Sequence, residues 1–290
     1  MGSLVPDVRY GLRMLAKNPG FTAVAVITLT LGIGANTAIF SVVSGVLLNP
    51  LSYPEPERLV ALYSKTPQFD RSSISYPNFL DWVRDNRSFA ALAAYRGGDF
   101  NLTGMGEPER VPAEMVSASF FPILGVRPAL GRTFLASEDQ VGAAPVVVIS
   151  NGLWKRKFGS APDVVGRAMT LDGKSYTIVG VLPANYGYIG NNYHRSDVFT
   201  PIGQGNDPLF RDRRVGMGTN AVGRLKPGTT FEQAKADMSA LAKHLAEAYP
   251  EADKDTGITL LPLKQNMVGD IQRFFCCSRR PWLSCCSSPA

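Results

Sequence analysis

The chain has 290 residues and a net charge of +6, with apolar and charged fractions typical of an ordinary soluble protein. The excess charge lies at the two ends: residues 1–20 carry +2, residues 264–290 carry +3, and residues 21–54 carry none. A nucleic-acid-binding protein concentrates basic residues on a folded domain, so this distribution argues against a nucleic acid as partner.

The first predicted element is a short amphipathic helix within residues 1–20. Arg9, Arg13 and Lys17 recur about one turn apart, and apolar residues supply the opposite side. Such a helix is expected to lie on a membrane surface with its cations toward anionic lipid headgroups. Because basic flanks stay on the cytoplasmic side, we expect a cytoplasmic N-terminus and an exported chain after Leu48.

A segment without charged side chains follows, from Phe21 to Leu48. As a helix it would be roughly 42 Å long, whereas a bilayer core needs only ~20 apolar residues. Residues 21–49 are therefore predicted to form a transmembrane helix with a stalk above the bilayer. Two alternatives fit the length less well. One is a cleaved signal peptide, whose apolar core has typically ~7–15 residues, and the other is a buried helix of a soluble protein.

The composition becomes ordinary after Pro50, and strand and helix patterns then alternate. Strands are predicted at residues 58–63, 89–95, 100–102, 110–116, 145–150, 168–171, 176–182, 219–225 and 258–262, and helices at 76–86, 119–124, 151–158 and 230–249. Ser75 predicts a helix cap, Asp172-Gly173 predicts a hairpin turn, and Thr229 with Glu232 predicts a capping box. The order predicts an α+β fold with two subdomains, divided near residues 131–144.

No residue pattern indicates catalysis. The two histidines, His194 and His244, lie far apart in different kinds of segment. Gly173-Lys174-Ser175 resembles the end of a phosphate-binding loop, but Ala168 stands where that loop needs its first glycine, and a strand follows instead of a helix. The four cysteines, all in the last fifteen residues, do not have a common zinc spacing. The sequence predicts no enzyme, and no catalytic, cofactor or metal site.

Several blocks of the sequence carry a resemblance to a known family. The start, DVRYGLRMLAKNPGFTAVAVITLTLGIGANTAIFSVVSGVLLNPLSYPEPERLV, resembles MacB-type, FtsX-like ABC transporter permeases, and more narrowly a duplicated-permease branch known from acidobacteria. The resemblance continues through ISYPNFLDWVRDNRSFAALAAY, SASFFPILGVRPALGRTF, VVVISNGLWKRKFG and TLDGKSYTIVGVLP. It covers residues 7 to about 271.

The resemblance implies a permease subunit of the bacterial inner (plasma) membrane, in which residues 50–268 form a MacB-like periplasmic core domain. It also implies a separate ABC ATPase that drives motion across the membrane, with membrane lipids, a second permease copy and periplasmic proteins as further partners. Efflux is the implied process. The alternative is a single-span, membrane-anchored periplasmic binding or scaffold module. A secreted enzyme is a third reading, which no residue pattern supports.

The resemblance ends after QNMVGDI, where the family would enter its second apolar span. This chain reads QRFFCCSRRPWLSCCSSPA instead, and Arg279, Arg280 and Pro281 interrupt any apolar run. Residues 269–290 are interpreted as an aberrant or truncated tail that arises from a shifted reading frame. A genuine tail that docks on a membrane through Phe274, Phe275, Trp282 and acylated cysteines is the alternative. With one span, the polypeptide is not expected to transport alone.

Overall fold

The computed structural model describes Tyr10 and residues 14–43, 53–186 and 196–267. Residues 1–50 and residues 51–290 form two separate compact units. In the first unit, helix α1 spans Pro19–Val43, and residues 14–17 are helical as well.

Two predictions for the first unit are left open. Among the described residues, no helix combines the length and the apolar character needed to cross a membrane. The transmembrane helix predicted at residues 21–49 is therefore not confirmed. The amphipathic helix predicted within residues 1–20 lies largely outside the described residues, as does the tail predicted at 269–290.

The second unit is a mixed α+β domain. Its strands are β1 (Leu59–Lys65), β2 (Phe89–Thr103), β3 (Glu109–Val116), β4 (Leu130–Gly131), β5 (Val146–Ile149), β6 (Ala168–Leu171), β7 (Lys174–Val181), β8 (Val198–Pro201), β9 (Asn220–Leu225) and β10 (Gly257–Pro262). Its helices are α2 (Tyr76–Asp85), α3 (Phe120–Leu124), α4 (Asn151–Phe158), α5 (Phe231–Ala248) and α6 (Pro250–Asp253). Short 3-10 turns lie at Pro56–Arg58, Ala136–Glu138 and Ile202–Gln204.

The strands form one sheet in the order β10-β1-β9-β2-β3-β8-β5-β7-β4, with β6 paired to β2 and β7. Among the described strands, only β3–β8 and β5–β7 pair in parallel. The predicted division into two subdomains near residues 131–144 differs from this arrangement. Strands from both sides of that segment share the sheet, because β8 returns beside β3 and β9 inserts between β1 and β2. The α+β class itself is confirmed.

The core lies on both faces of this sheet. Along β1, Leu59, Ala61 and Tyr63 belong to one apolar cluster, while Val60 and Leu62 belong to another. Successive strand residues point to opposite faces, so the two clusters lie on opposite sides. Helix α3 covers the first cluster, whereas α2 and α5 cover the second. A third cluster packs α4 against β5 and β7.

Side-chain caps mark the starts of α2, α4 and α5. Ser75 caps α2 by accepting the Asn78 amide at 3.3 Å, as predicted. The capping box of α5 begins one residue later than predicted, at Thr230 instead of Thr229. Thr230 Oγ1 accepts the Gln233 amide at 3.2 Å, and Gln233 Oε1 accepts the Thr230 amide at 2.8 Å. Gln233 can close this box as well as glutamate can, which the prediction from Glu232 overlooked.

Candidate functional site

The chain enters and leaves the domain at neighbouring ends of two paired strands. β1 and β10 are antiparallel, and Val60 near the start of β1 pairs with Pro262 at the end of β10. Paired strands lie ~4.8 Å apart, so the two connections emerge side by side. We call this region the base: the incoming segment, residues 53–58, and the outgoing segment, residues 263–267.

Arg224 on β9 holds the incoming segment through backbone carbonyls. Its guanidinium donates to the carbonyls of Ile123 at 2.8 Å, Pro54 at 2.9 Å and Glu55 at 3.4 Å. Its side chain is only 14% exposed. Burial, reinforced by the nearby Arg58 cation, lowers the pKa of Arg224. The guanidinium of Arg224 therefore joins the incoming segment to both β9 and the end of α3.

Arg58 supplies a second attachment, in which the incoming segment is the donor and β9 is the acceptor. This residue of the incoming segment donates from Nε and Nη2 to the carbonyl of Leu225, at 3.0 and 2.7 Å. Its Nη1 contacts Glu55 Oε2 at 2.7 Å. Glu55 has a left-handed backbone with φ of 46°, a conformation that non-glycine residues adopt only when their surroundings hold it. The paired arginines supply that constraint.

The turn after α3 packs directly against the incoming segment. Gly125 has φ of 67°, and a Cβ atom there would lie 2.8 Å from Cγ of Pro54. Tyr53, at the start of the segment, is buried in the same cluster as Leu59. Burial, and secondarily the carboxylate of Glu114, raises the pKa of the Tyr53 hydroxyl. The first residues of the domain thus belong to its core.

The outgoing segment is tied to β1. The Tyr63 hydroxyl and Asn266 Oδ1 are 3.0 Å apart in a buried hydrogen bond. Leu263 is fully buried in the cluster that contains Tyr53, and Met267 packs against that cluster. Both connections therefore share one piece of hydrophobic core.

A second buried arginine lies elsewhere in the domain, in what we call the Arg213 cluster: Asn78, Asp81, Arg213, Tyr249 and Asp253. Arg213 Nη2 contacts Asp81 Oδ2 at 2.7 Å, and Nη1 contacts Asp253 Oδ2 at 3.4 Å. Its guanidinium also donates to Asn78 Oδ1 and lies 3.6 Å above the Tyr249 ring. The cluster connects the segment before β9 with α2 and α6.

Asp253 is the most deeply buried carboxylate of this cluster, with a side chain 4% exposed. Desolvation by burial raises its pKa, against the opposing effect of hydrogen bonds from Asn78 and Arg213 and of the Arg213 charge. Asn78 Nδ2 donates to Asp253 Oδ1 at 2.7 Å. Because the pKa of Asp253 is raised overall, the effect of burial is larger than the opposing effect of Asn78 and Arg213.

The structure describes only some of the residues considered as chemical candidates. His244 is exposed on α5, and His194 lies outside the described residues. Asp172 and Gly173 form the turn of the β6–β7 hairpin, both with positive φ, so the predicted hairpin is confirmed and no phosphate-binding loop forms there. In the described part of the chain, no group of three or more His, Cys, Asp or Glu residues could hold a metal.

Residues 22–241 match the family model of the MacB-like periplasmic core domain. A macrolide export ATP-binding/permease protein MacB from Burkholderia thailandensis is 25% identical over 228 residues, which is 77% of this chain and 33% of that protein. A Burkholderia pseudomallei protein with the same name is 24% identical over 172 residues, 59% of this chain and 24% of that protein. The chain thus spans about a quarter to a third of these relatives.

Two solved structures share the fold. The periplasmic region of MacB from Actinobacillus actinomycetemcomitans superposes with a TM-score of 0.52 at 9% identity, covering 77% of this chain and 94% of that one. A domain of a Porphyromonas gingivalis protein described as a permease gives 0.53 at 16% identity, covering 73% and 93%. At these identities the likeness concerns the fold alone.

Proposed function

The chain belongs to the family of MacB-like periplasmic core domains, and on this premise we propose that it is a permease component of an ABC-type transporter. In this proposal, residues 21–49 anchor the chain in the inner membrane with the N-terminus in the cytoplasm. Residues 50–268 lie in the periplasm and receive motion that a separate ATPase generates. The observation that carries the proposal is the base, where the chain enters and leaves the domain side by side.

The base supports this role because a domain that transmits motion needs a stiff attachment. Arg58 and Arg224 fix the incoming segment to β9, while Leu263 and Asn266 fix the outgoing segment to the core. A flexible linker at either place would dissipate displacement. The resemblance predicted from the sequence is confirmed at the level of the family. Transport, substrate and partners of the longer relatives are proposed for this chain by analogy.

Support for the anchor comes from the amino-terminal unit. Large apolar side chains of α1 are exposed, among them Phe21 at 72% and Leu31 at 68%. Exposing such side chains to water costs free energy, and placing them in lipid does not. The charge-free stretch continues to Pro54, beyond the described end of α1.

The topology can be tested by labelling with a membrane-impermeant maleimide. The four native cysteines are replaced by serine, and Lys155→Cys is compared with the matched Arg13→Cys. We expect Lys155→Cys, which is exposed on α4, to react in intact spheroplasts, and Arg13→Cys to react only after lysis. Labelling of both variants in spheroplasts, or of neither, would contradict the proposed orientation. Alkaline extraction of membranes checks the anchor separately.

The separate ATPase can be tested by photo-crosslinking from Tyr10, an exposed residue on the side proposed to be cytoplasmic. A benzoylphenylalanine at this position should crosslink in cells to a protein with nucleotide-binding motifs, identified by mass spectrometry. The same photoprobe at Phe69, which is 67% exposed on the domain, should not. Crosslinks from Tyr10 that contain no ATPase would argue for the anchored scaffold module instead.

A further inference from the structure

A groove of about 680 Å³ runs along the outer edge of the sheet. One wall is β10, the strand at one edge of the sheet, and the other is a face of α5. Lys235, Ser239, Ala242 and Ala246 line it at intervals of three or four residues, a spacing that places them on one face of the helix. Helix α5 buries Ala234 and Met238 against the sheet, so its neighbouring face borders the groove.

The groove is strongly basic. Five cations line it, against one carboxylate: Lys65, Arg71, Lys235, Lys243 and Lys254 against Asp70. Asp70 contacts Lys65 at 2.9 Å. Among the described residues, the other four cations form no salt bridge within the chain. Like charges gathered without counterions favour the binding of an anionic partner.

The opposite wall offers backbone hydrogen bonds. β10 pairs with β1 on one side, and within the described part of the chain no strand pairs with its other side. A free strand edge presents unpaired amide and carbonyl groups that can accept another strand. Gly257 of β10 pairs with Lys65 of β1. A Cβ atom added to Gly257 would lie 3.5–3.8 Å from the Lys65 side chain, so this lysine lies beside the start of β10.

We propose that this groove binds an acidic segment of a partner protein, which lies extended along β10 with its carboxylates toward the lysines of α5. The groove offers unpaired cations and a free strand edge. An acidic peptide can bind to both, because it carries negative side chains and a backbone that can extend the sheet. Lipid headgroups and nucleic acids supply the charge without the strand. The binding requires neither transport nor the membrane anchor.

The test measures binding of a fluorescein-labelled decapeptide of alternating glutamate and threonine to the full chain in a non-ionic detergent. Fluorescence anisotropy should show saturable binding that weakens as salt rises. The Lys235→Glu/Lys243→Glu variant should lose affinity by about tenfold or more. The matched Arg127→Glu/Lys155→Glu variant changes the net charge equally at exposed positions outside the groove, and it should stay within about twofold of wild type.

Two further probes separate strand addition from charge alone. The peptide is also made in two N-methylated forms, one methylated on every glutamate and one on every threonine. The form whose methylated amides face β10 should bind more weakly, because it cannot donate along the strand edge, and the other form should bind like the unmethylated peptide. Lys254→Glu, on a different element from α5, should weaken binding in the same direction without changing that helix. Equal loss in both double variants, or binding of phosphatidylglycerol vesicles without binding of the acidic peptide, would overturn the proposal.

Discussion

The base and the Arg213 cluster each contain a buried arginine, but the two arginines have different partners. Arg224 donates to three backbone carbonyls, which carry no full charge, and its one carboxylate neighbour, Glu55 at 3.7 Å, is 57% exposed. Arg213 contacts two buried carboxylates, and burial raises the pKa of one of them, Asp253. The base therefore owes its stability mainly to hydrogen-bond geometry, whereas the Arg213 cluster owes its stability to a balance of charge and desolvation.

The largest loss of folding stability is expected for Arg213→Ala. It leaves Asp253 buried without a cation, and Asp81 with the more exposed Arg84 alone. Removing one partner of a buried ion pair costs about 3–5 kcal/mol, and urea unfolding should show a loss of that order. Arg214→Ala is the control, because Arg214 pairs with Asp212 at the surface; its unfolding midpoint should barely move. Equal effects would show that burial is not the cause.

The corresponding change at the base is Arg224→Ala, with Arg224→Lys as its charge-conserving partner. Both remove the fork that joins Pro54, Glu55 and Ile123, and hydrogen bonds to charged groups contribute about 1.5–3 kcal/mol. Because lysine keeps the charge but not the geometry, we expect it to recover less than half of the loss. Limited proteolysis should also cut faster after Arg58. Full rescue by lysine would mean that charge, not geometry, holds the base.

A smaller effect is expected from Gly125→Ala. Any side chain at this left-handed position adds strain of about 1–3 kcal/mol, and here its Cβ would also meet Pro54 at 2.8 Å. Gly142→Ala is a matched control, since its φ is 84° but nothing lies within 4 Å of an added Cβ. The difference between the two variants in melting temperature measures the contact with Pro54. If the two variants lose the same amount, that contact contributes nothing.

The smallest effect concerns pH. The pKa of Asp253 is raised above its usual value of 3.8. As the pH rises, the carboxyl of Asp253 therefore loses its proton at a higher pH in the folded state than in the unfolded state. Ionisation of Asp253 therefore reduces stability as the pH rises above about 3.8 and on through the raised pKa. Asp253→Asn removes this contribution. From pH 4 to 7, the melting temperature of Asp253→Asn relative to wild type should increase; a constant or decreasing difference contradicts the assignment.

Sequence reasoning succeeded where the signal was local. Ser75 and the Asp172-Gly173 turn act on residues within three positions, and both features appear as predicted. It failed where pairing overrode local preference. β2 runs without a break through Gly97 and Gly98, because β3 pairs with it on both sides of that dipeptide. β8 was missed because it has only four residues and ends in Pro201, and a proline weakens a strand signal.

Neither arginine site could have been found from the sequence. Arg224 binds carbonyls more than a hundred residues away in the chain, and Arg213 lies 132 residues from Asp81. Backbone acceptors leave no trace in residue identity, so no composition or spacing marks the base. The family resemblance located the domain, but the side-by-side position of its two connections required the register of β1 against β10.

The most direct test of the central claim is the separation of the two connections in the full chain. Spin labels are placed at Glu57 and Lys264, after the native cysteines are replaced by serine. The pairing of Val60 with Pro262 predicts strong dipolar broadening between them. A pair at Glu57 and Lys65, separated by roughly 25 Å along β1 at 3.3 Å per residue, should show little. Absence of broadening in the first pair, or equal broadening in both, would contradict a shared base.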